Sequence, residues 1–222
     1  NTYARMMVIE KHLANGVGFT CTDGVIIERS VEIGTGTEIL PSTIIRGNTK
    51  IGNNCVIGAN SIIENCIIGD NVIINNSQIY DSVIENDVNI GPYAHIRPEC
   101  IIKNGAKIGD FVEVKNSTIG EKTAIAHLAY IGDSDIGRKV NIGAGTVTVN
   151  YDGIAKSRCV IGDKCFIGCN TNLIAPVKLG KAVYTAAGTT VTKDIPDFAL
   201  AIDRGIMKVK EGYTVRKLKS QL

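Results

Sequence analysis

Isoleucine and valine recur along this chain at intervals of about six residues. The dipeptide Ile-Gly begins at positions 33, 51, 57, 68, 90, 108, 119, 131, 136, 142, 161 and 167. Aliphatic residues also occupy the intervening six-residue positions: Ile39, Ile45, Ile63, Ile102, Val114, Ile125, Leu173, Leu179 and Val191. A helix repeats every 3.6 residues, and a hairpin array needs turn signals every eight to twelve. A period of six is instead typical of a parallel β-helix, in which three short strands form one coil of about 18 residues.

Small side chains lie two residues before many of the repeated isoleucines. Five of them are cysteines: Cys55, Cys66, Cys100, Cys159 and Cys165. Because residues i and i−2 of a strand share a face, these thiols are expected to point inward and fill the coil. A zinc site formed by Cys159, Cys165 and Cys169 is the alternative, but their spacing puts them on different faces of the coil.

Residues 1–16 are predicted to form a short helix. Met6, Ile9 and Leu13 share one helical face, and Gly16 stands where a C-terminal cap belongs.

The rest of the chain divides into a long repeat, one loop and a tail. Residues 17–196 hold about ten coils, each of which contacts its neighbours. The segment TVNYDGIAKSRC, between Val147 and Ile161, breaks the period and is expected to form a loop outside the coil. The tail, 197–222, is predicted to be irregular and solvated. It carries six basic residues: Arg204, Lys208, Lys210, Arg216, Lys217 and Lys219.

Composition supports a repeated strand unit and excludes several classes of protein. The 222 residues include 34 Ile but only 11 aromatic residues and no Trp. The net charge of +2 excludes a globally basic nucleic-acid-binding protein. No apolar run reaches the roughly 18 residues that span a membrane, and no signal peptide opens the chain. Seven cysteines without a C-x-x-C pair predict a reduced, cytoplasmic protein.

Arg97 and Lys115 are separated by 18 residues, the length of one coil. They are therefore expected to lie on adjacent rungs, about 5 Å apart. Like charges at that distance repel unless an anion lies between them, so a bound phosphate would stabilise the pair. Two solvated side chains that point apart are the alternative.

Other polar candidates cluster near the break in the repeat. His127, in AHLAYIGD and close to Tyr130, precedes the glycine-rich run at 141–146, where a ligand can approach the backbone. The sequence NYDG at 150–153 and Lys156 belong to the irregular loop, and binding residues often collect on such loops. A structural histidine and an ordinary Asp-Gly turn are the alternatives.

Seven segments of the chain resemble those of one bacterial enzyme family. They are RPEC, FVEVKNS, AHLAYIGDSDIG, NIGAGTVTVNYDG, IGDKCFIGCNTNLIAPV, AAGTTVTKDIP and AIDR. In this order and spacing they resemble the C-terminal half of the bifunctional N-acetylglucosamine-1-phosphate uridyltransferase/glucosamine-1-phosphate N-acetyltransferase family. The resemblance runs from the N-terminal helix to about Arg204 and includes the NYDG loop, which lies outside the repeat.

The resemblance implies a left-handed parallel β-helix and a homotrimer with active sites between subunits. It also implies transfer of acetyl from acetyl-coenzyme A to glucosamine-1-phosphate, for UDP-N-acetylglucosamine and cell-envelope synthesis. His127 would be the general base, and no metal would be needed. By the same resemblance, the sugar phosphate would be bound by Arg97, Lys115, Tyr130, Asn141 and Lys156. The acetyl-coenzyme A site would be lined by Ala144, Asn150, Tyr151, Cys169, Ala187 and Arg204.

Two departures from the family pattern matter. Cys169 replaces the usual serine and is a weaker hydrogen-bonding group, so a backbone contact would survive there but a hydroxyl contact would not. The nucleotidyltransferase half, with its G-x-G-T-R-M loop, has no counterpart here, so uridylyl transfer is expected to be absent. Residues 1–16 resemble the family's interdomain linker, which favours a chain cut from a longer protein.

Three other functions compete with this interpretation. A non-catalytic trimerising β-helix of a sugar-nucleotide enzyme would not need five polar residues together: Arg97, Lys115, His127, Tyr130 and Asn141. A zinc enzyme of the carbonic-anhydrase kind needs three histidines, and His12 lies outside the repeat. An acyltransferase for serine or an acyl sugar would differ only in its acceptor, and the sugar-phosphate residues argue against it.

Overall fold

The computed structural model describes residues 2–215. A helix, Thr2–Ala14, leads into a parallel β-solenoid of about ten coils. Each strand pairs in parallel with strands of the coils before and after it, so the coils build three flat faces around one core. The predicted left-handed parallel β-helix of hexapeptide repeats is confirmed.

The three faces follow one another around each coil. Face one consists of Gly18–Phe19, Glu38–Ile39, Val56–Ile57, Ile73–Ile74, Asn89–Ile90, Asn141–Ile142, Phe166–Ile167, Tyr184–Thr185 and Leu200–Ala201. Face two consists of Ile26–Ile27, Ile44–Arg46, Ile62–Glu64, Gln78–Tyr80, His95–Ile96, Val147–Val149, Asn172–Ile174 and Thr190–Val191. Face three consists of Glu32–Ile33, Lys50–Ile51, Ile67–Ile68, Val83–Ile84, Ile101–Ile102, Thr118–Ile119, Ser134–Ile136, Cys159–Ile161 and Val177–Leu179. Two nine-residue strands, Lys107–Lys115 and Ala124–Gly132, run across the corner from face one to face two.

The repeated aliphatic residues form the core of the solenoid. Every isoleucine of the Ile-Gly dipeptides, and every aliphatic residue predicted at the intervening positions, is buried. The register stacks them, as in Ile39 against Ile57 and Ile74 against Ile90. The five cysteines predicted to point inward are buried as well. Each buried isoleucine stabilises the fold by about 1.5–3 kcal/mol relative to an exposed one, so the repeat itself holds the coils together.

The corner between face one and face two, corner one, requires a left-handed backbone in each coil. Asn60 and Gly145 adopt it with φ of 58° and 74°, and these residue types do so at little cost. Three consecutive coils instead carry Tyr93, Phe111 and Leu128, with φ of 58°, 57° and 39°. Their side chains are exposed, and the rings of Tyr93 and Phe111 stack with centroids 5.5 Å apart.

The corner between face two and face three, corner two, is built in the same way. Glu99, Asn116 and Asp133 occupy its left-handed positions in successive coils, with φ of 65°, 44° and 47°. Corner two therefore presents polar and acidic side chains, whereas the same coils present large apolar side chains at corner one.

The helix buries only part of the apolar face predicted from the sequence. Ile9 is fully buried, but Leu13 is 49% exposed and His12 is buried in its place. After Gly16, which has a φ of 81°, the chain turns directly into the first coil and brings the His12 side of the helix against it. The direction of this turn, and not the apolar spacing, decides which face is buried.

The coil ladder extends past the boundary expected at residue 196. Leu200–Ala201 pairs with Tyr184–Thr185, because Ile195 first adds to face three beside Leu179 and returns the chain to face one. Beyond this strand Arg204, Lys208 and Lys210 are exposed. The other basic residues predicted for the tail, Arg216, Lys217 and Lys219, lie outside the described residues.

The loop predicted between Val147 and Ile161 is present. Ile142 pairs with Ile167, 25 residues later, whereas the usual coil has 16 to 18. The additional residues leave the solenoid after Val149 and rejoin it at Cys159.

Candidate active site

His127 lies at corner one, where the strand Ala124–Gly132 turns from face one to face two. Its register partner on the preceding coil is Asp110. The Nδ1 atom of His127 is 2.5 Å from Oδ1 of Asp110, and the imidazole is 63% exposed. The hydrogen bond from His127 is the largest influence that lowers the pKa of Asp110. One ring nitrogen is thus occupied by a carboxylate, and the other remains available to a substrate.

Arg97 and Lys115 lie on adjacent coils at the corner-two end of face two. The amide of Arg97 donates to the carbonyl oxygen of Val114, 2.8 Å away, which confirms the one-coil stacking. Each cation has its own carboxylate: Nη1 of Arg97 is 2.8 Å from Oε1 of Glu113, and Nζ of Lys115 is 3.8 Å from Oδ2 of Asp133. The chain's own carboxylates therefore offset the repulsion between the two cations.

Asp133 connects the residues around corner two. Its side chain is 5% exposed and accepts hydrogen bonds from Asn116, at 2.5 Å, and from Asn150. Burial alone would raise the pKa of Asp133, but these two amides and the charges of Lys115 and Lys156 outweigh it and lower the pKa. Asp133 is therefore an ionised group buried among donors and cations.

Lys156 reaches this cluster from the loop. The neighbouring amine of Lys115 is the main reason that the pKa of Lys156 lies below its ordinary value. The loop is held by Asp152, whose carboxylate accepts the backbone N–H groups of Ile154 and Ala155 at 2.8 and 2.7 Å. Two crowded amines beside one carboxylate form a site suited to an additional anion.

Tyr130 lies on the outer surface of face two, between the two corners. It is the register partner of Glu113, which in turn pairs with His95 on the coil before. The Tyr130 hydroxyl is 3.5 Å from Nδ2 of Asn150. A side chain at Gly132 would meet that hydroxyl at 2.5 Å, so glycine is needed there for Tyr130 to lie against the cluster.

Three residues predicted to line the coenzyme site form one column with His127 along corner one. They are Ala144, Cys169 and Ala187. The residue after each donates its N–H to the coil before: Gly145 to Leu128, Asn170 to Ala144 and Gly188 to Cys169. Cys169 and Ala187 are exposed, so the column is an open strip of small side chains that begins at His127.

The remaining predicted residues lie apart from this column. Asn150, predicted to contact the coenzyme, is buried against Asp133 among the predicted sugar-phosphate residues. Tyr151 is exposed on the loop and donates to the carbonyl oxygen of Gly153. Asn141 is exposed on face one, and Arg204 is exposed beyond the last strand. Within one chain Asn150 joins the cluster at corner two, whereas Tyr151, Asn141 and Arg204 do not.

Sequence reasoning missed three carboxylates that organise the site: Asp110, Glu113 and Asp133. Asp110 precedes His127 by 17 residues, and Asp133 follows Lys115 by 18, so both stand one coil from a predicted functional residue. A search for acids one coil away from each candidate would have found them.

The described residues hold no group of three or more His, Cys, Asp or Glu side chains arranged to bind a metal ion. Cys159 and Cys165 are buried inside the coil while Cys169 is exposed at corner one, so these three thiols do not converge. Within residues 2–215 there is also no helix with the length and apolar character needed to cross a membrane.

Comparison with protein families finds three partial matches. A family described as the LbH domain of EIF2B subunit epsilon matches residues 12–114, and the C-terminal domain of GMPPB matches residues 78–151. The bacterial transferase hexapeptide family, of six repeats, matches residues 158–193.

Comparison with curated proteins finds matches over almost the whole chain. The bifunctional protein GlmU of Caldanaerobacter subterraneus is 50% identical over 215 residues, which is 97% of this chain and 47% of that protein. This chain is a relative of GlmU. The GlmU of Clostridium botulinum is 48% identical over 96% of the chain, again with 47% of the relative covered. The chain thus spans about half the length of the GlmU proteins that it matches.

Among solved structures, an Arabidopsis UDP-N-acetylglucosamine acyltransferase covers 93% of this chain and is itself covered over 73% of its length. It is 18% identical, with a TM-score of 0.49.

Proposed function

We propose that this protein transfers the acetyl group of acetyl-coenzyme A to the amine of glucosamine-1-phosphate. One observation carries the proposal. At one edge of face two lies an exposed imidazole that is hydrogen-bonded to a carboxylate, and at the other edge lie three cations, two on adjacent coils and one on the loop. The relation to GlmU agrees with the family resemblance of the motifs that supply these residues.

The imidazole suits a general base for amine acylation. The amine must lose its proton to attack the thioester carbonyl, and the free ring nitrogen of His127 would accept that proton as the C–N bond forms. The C–S bond then breaks, and the departing coenzyme thiolate can recover a proton from the imidazolium. The reaction is balanced without an oxidant, a reductant or a metal.

The cations suit the phosphate of the acceptor. Arg97, Lys115 and Lys156 carry three positive charges, against two negative charges on Glu113 and Asp133. The cluster therefore keeps one net positive charge, and a phosphate dianion would offset the repulsion between the two lysine amines. Tyr130, between the cations and His127, would contact the sugar.

The strip of small side chains at corner one suits the arm of the coenzyme. Its three coil steps from His127 to Ala187 cover about 15 Å, at roughly 4.8 Å for each step. We place the thioester at the His127 end, with Ala144 and Cys169 along the arm.

Asn141 and Arg204 lie away from face two, and Tyr151 projects on the loop. The proposal therefore includes a homotrimer in which a neighbouring subunit brings such residues to the site. The seven free cysteines suit a reducing compartment, so the proposed location is the cytoplasm.

The test is a coenzyme A release assay that follows thioester absorbance, with glucosamine-1-phosphate, glucosamine and serine as acceptors. Turnover confined to glucosamine-1-phosphate supports the proposal. His127→Ala is expected to lower kcat by about 10²- to 10⁴-fold. Lys115→Ala should chiefly raise KM for the phosphorylated sugar, while Lys178→Ala, an exposed lysine on face three, serves as the control.

Two outcomes would count against this function. Absence of turnover with every acceptor, from folded protein that sediments as a trimer, would favour a non-catalytic trimerising module. Equal turnover of glucosamine and glucosamine-1-phosphate would leave the cation cluster without its proposed role.

A further inference from the structure

Asp110 and His127 form the shortest contact between a carboxylate and a basic side chain on neighbouring coils of the described residues, and sequence reasoning assigned no role to Asp110. They are register partners within the two nine-residue strands, and each precedes a left-handed residue at corner one, Phe111 or Leu128. Both side chains therefore leave the backbone at the same point of the same turn, one directly above the other.

The left-handed backbone of Phe111 and Leu128 is unusual for such bulky residues. A left-handed φ costs a bulky side chain roughly 1–2 kcal/mol, and the other coils use Gly, Asn or Ser at this corner. Phe111 offsets part of that cost by stacking on Tyr93. The turn is thereby fixed on the Asp110 side of the pair by aromatic packing.

We propose that Asp110 is a positioning residue for His127, holding the proton on Nδ1 so that Nε2 faces the reacting amine. This inference rests on the proposed acetyltransferase function. A carboxylate can only accept a hydrogen bond, so it selects the imidazole tautomer that carries its proton on Nδ1. The same carboxylate stabilises the imidazolium that forms when Nε2 accepts the proton of the amine.

The solvent exposure of Asp110 and His127 limits how much Asp110 contributes to kcat. The side chains are 37% and 63% exposed, so water screens the attraction between carboxylate and imidazolium. Lys107, on the same strand, also favours the ionised form of Asp110. We therefore expect Asp110 to contribute about 10- to 100-fold to kcat, below the roughly 10⁴-fold effect of a buried triad aspartate.

The test compares Asp110→Asn, Asp110→Glu and the control Asp163→Asn. Asn at 110 can accept a hydrogen bond through its oxygen or donate one through its nitrogen, so it no longer dictates the tautomer. Asp163 also bonds a residue of a neighbouring coil, Arg138, and lies outside the proposed site. Asp110→Asn should lower kcat about 10- to 100-fold with both KM values within about twofold of wild type, and Asp110→Glu should restore part of kcat.

A second measurement reads the tautomer directly and needs no turnover. The chain has three histidines, so ¹⁵N spectra of the imidazoles, with His127→Ala for assignment, identify the His127 signals. Wild type should show an Nδ1–H tautomer, and Asp110→Asn a mixture.

The inference is overturned if kcat of Asp110→Asn equals wild type, if only KM changes, or if the tautomer is unaltered. If wild-type protein fails to acetylate glucosamine-1-phosphate but shows the Nδ1–H tautomer, the proposed function fails while the Asp110 contact stands.

Discussion

Replacement of Asp133 by Asn tests whether the polar cluster at corner two depends on one buried carboxylate. Asp133 accepts one amide on each oxygen, from Asn116 and Asn150, and lies 3.8 Å from the amine of Lys115. Asn has a single accepting oxygen, so one buried amide loses its partner, and the two lysines lose their shared anion.

The expected loss of folding free energy at pH 7 is about 2–4 kcal/mol. An unpartnered buried donor costs about 1–3 kcal/mol, and loss of a charged partner adds to this cost. For a chain of this size the melting temperature should fall by roughly 5–15 °C. The control is Asp135→Asn, two residues away, which removes an exposed pair with Arg158 and should cost less than about 1 kcal/mol.

The loss of stability in Asp133→Asn should depend on pH in a defined direction. The pKa of Asp133 is lowered in the folded protein, so its stabilisation is present above the ordinary aspartate pKa, about 3.9. It is lost as pH falls from there through the folded pKa. The difference between wild type and Asp133→Asn, measured by thermal melting from pH 7 to pH 3, should therefore narrow below about pH 4. Equal stability at pH 7, or a difference that widens in acid, would refute this reasoning.

Two further predictions test the corner and the strip beside His127. A Cβ at Gly109 would lie 1.8 Å from the carbonyl oxygen of Ala126. Gly109→Ala should therefore lower the melting temperature by several degrees and reduce kcat. The control, Gly205→Ala, adds its Cβ in open space and should change neither quantity. Alkylation of the native protein, followed by mass spectrometry, should modify the exposed Cys169 first and spare Cys66, whose pKa burial raises to about 11. Acetyl-coenzyme A should slow modification of Cys169, and unchanged labelling would contradict its place in the strip.

The period of six residues was sufficient to predict the coil. Ile57 and Val114 are buried as predicted, because an inward position in a β-helix is decided by the repeat itself and needs no distant partner. The one-coil spacing of Arg97 and Lys115 likewise predicted their stacking. The break in the repeat predicted the loop that carries Lys156.

Side-chain partners depended on the tertiary structure. The anion expected between the cations is replaced by Glu113 and Asp133, because the register and the long side chains bring these carboxylates within reach. Asn150 joins Asp133 because of the path by which the loop leaves the coil.

The helix and the Asp110–His127 pair illustrate the same division. Leu13 is exposed and His12 buried because the turn after Gly16 sets the direction of the helix, which apolar spacing does not encode. His127 was recognisable from its motif, but its contact with Asp110 exists because two corners turn through left-handed residues in register. A periodic sequence determines which side chains enter the core, and the geometry of its corners determines which polar side chains meet outside it.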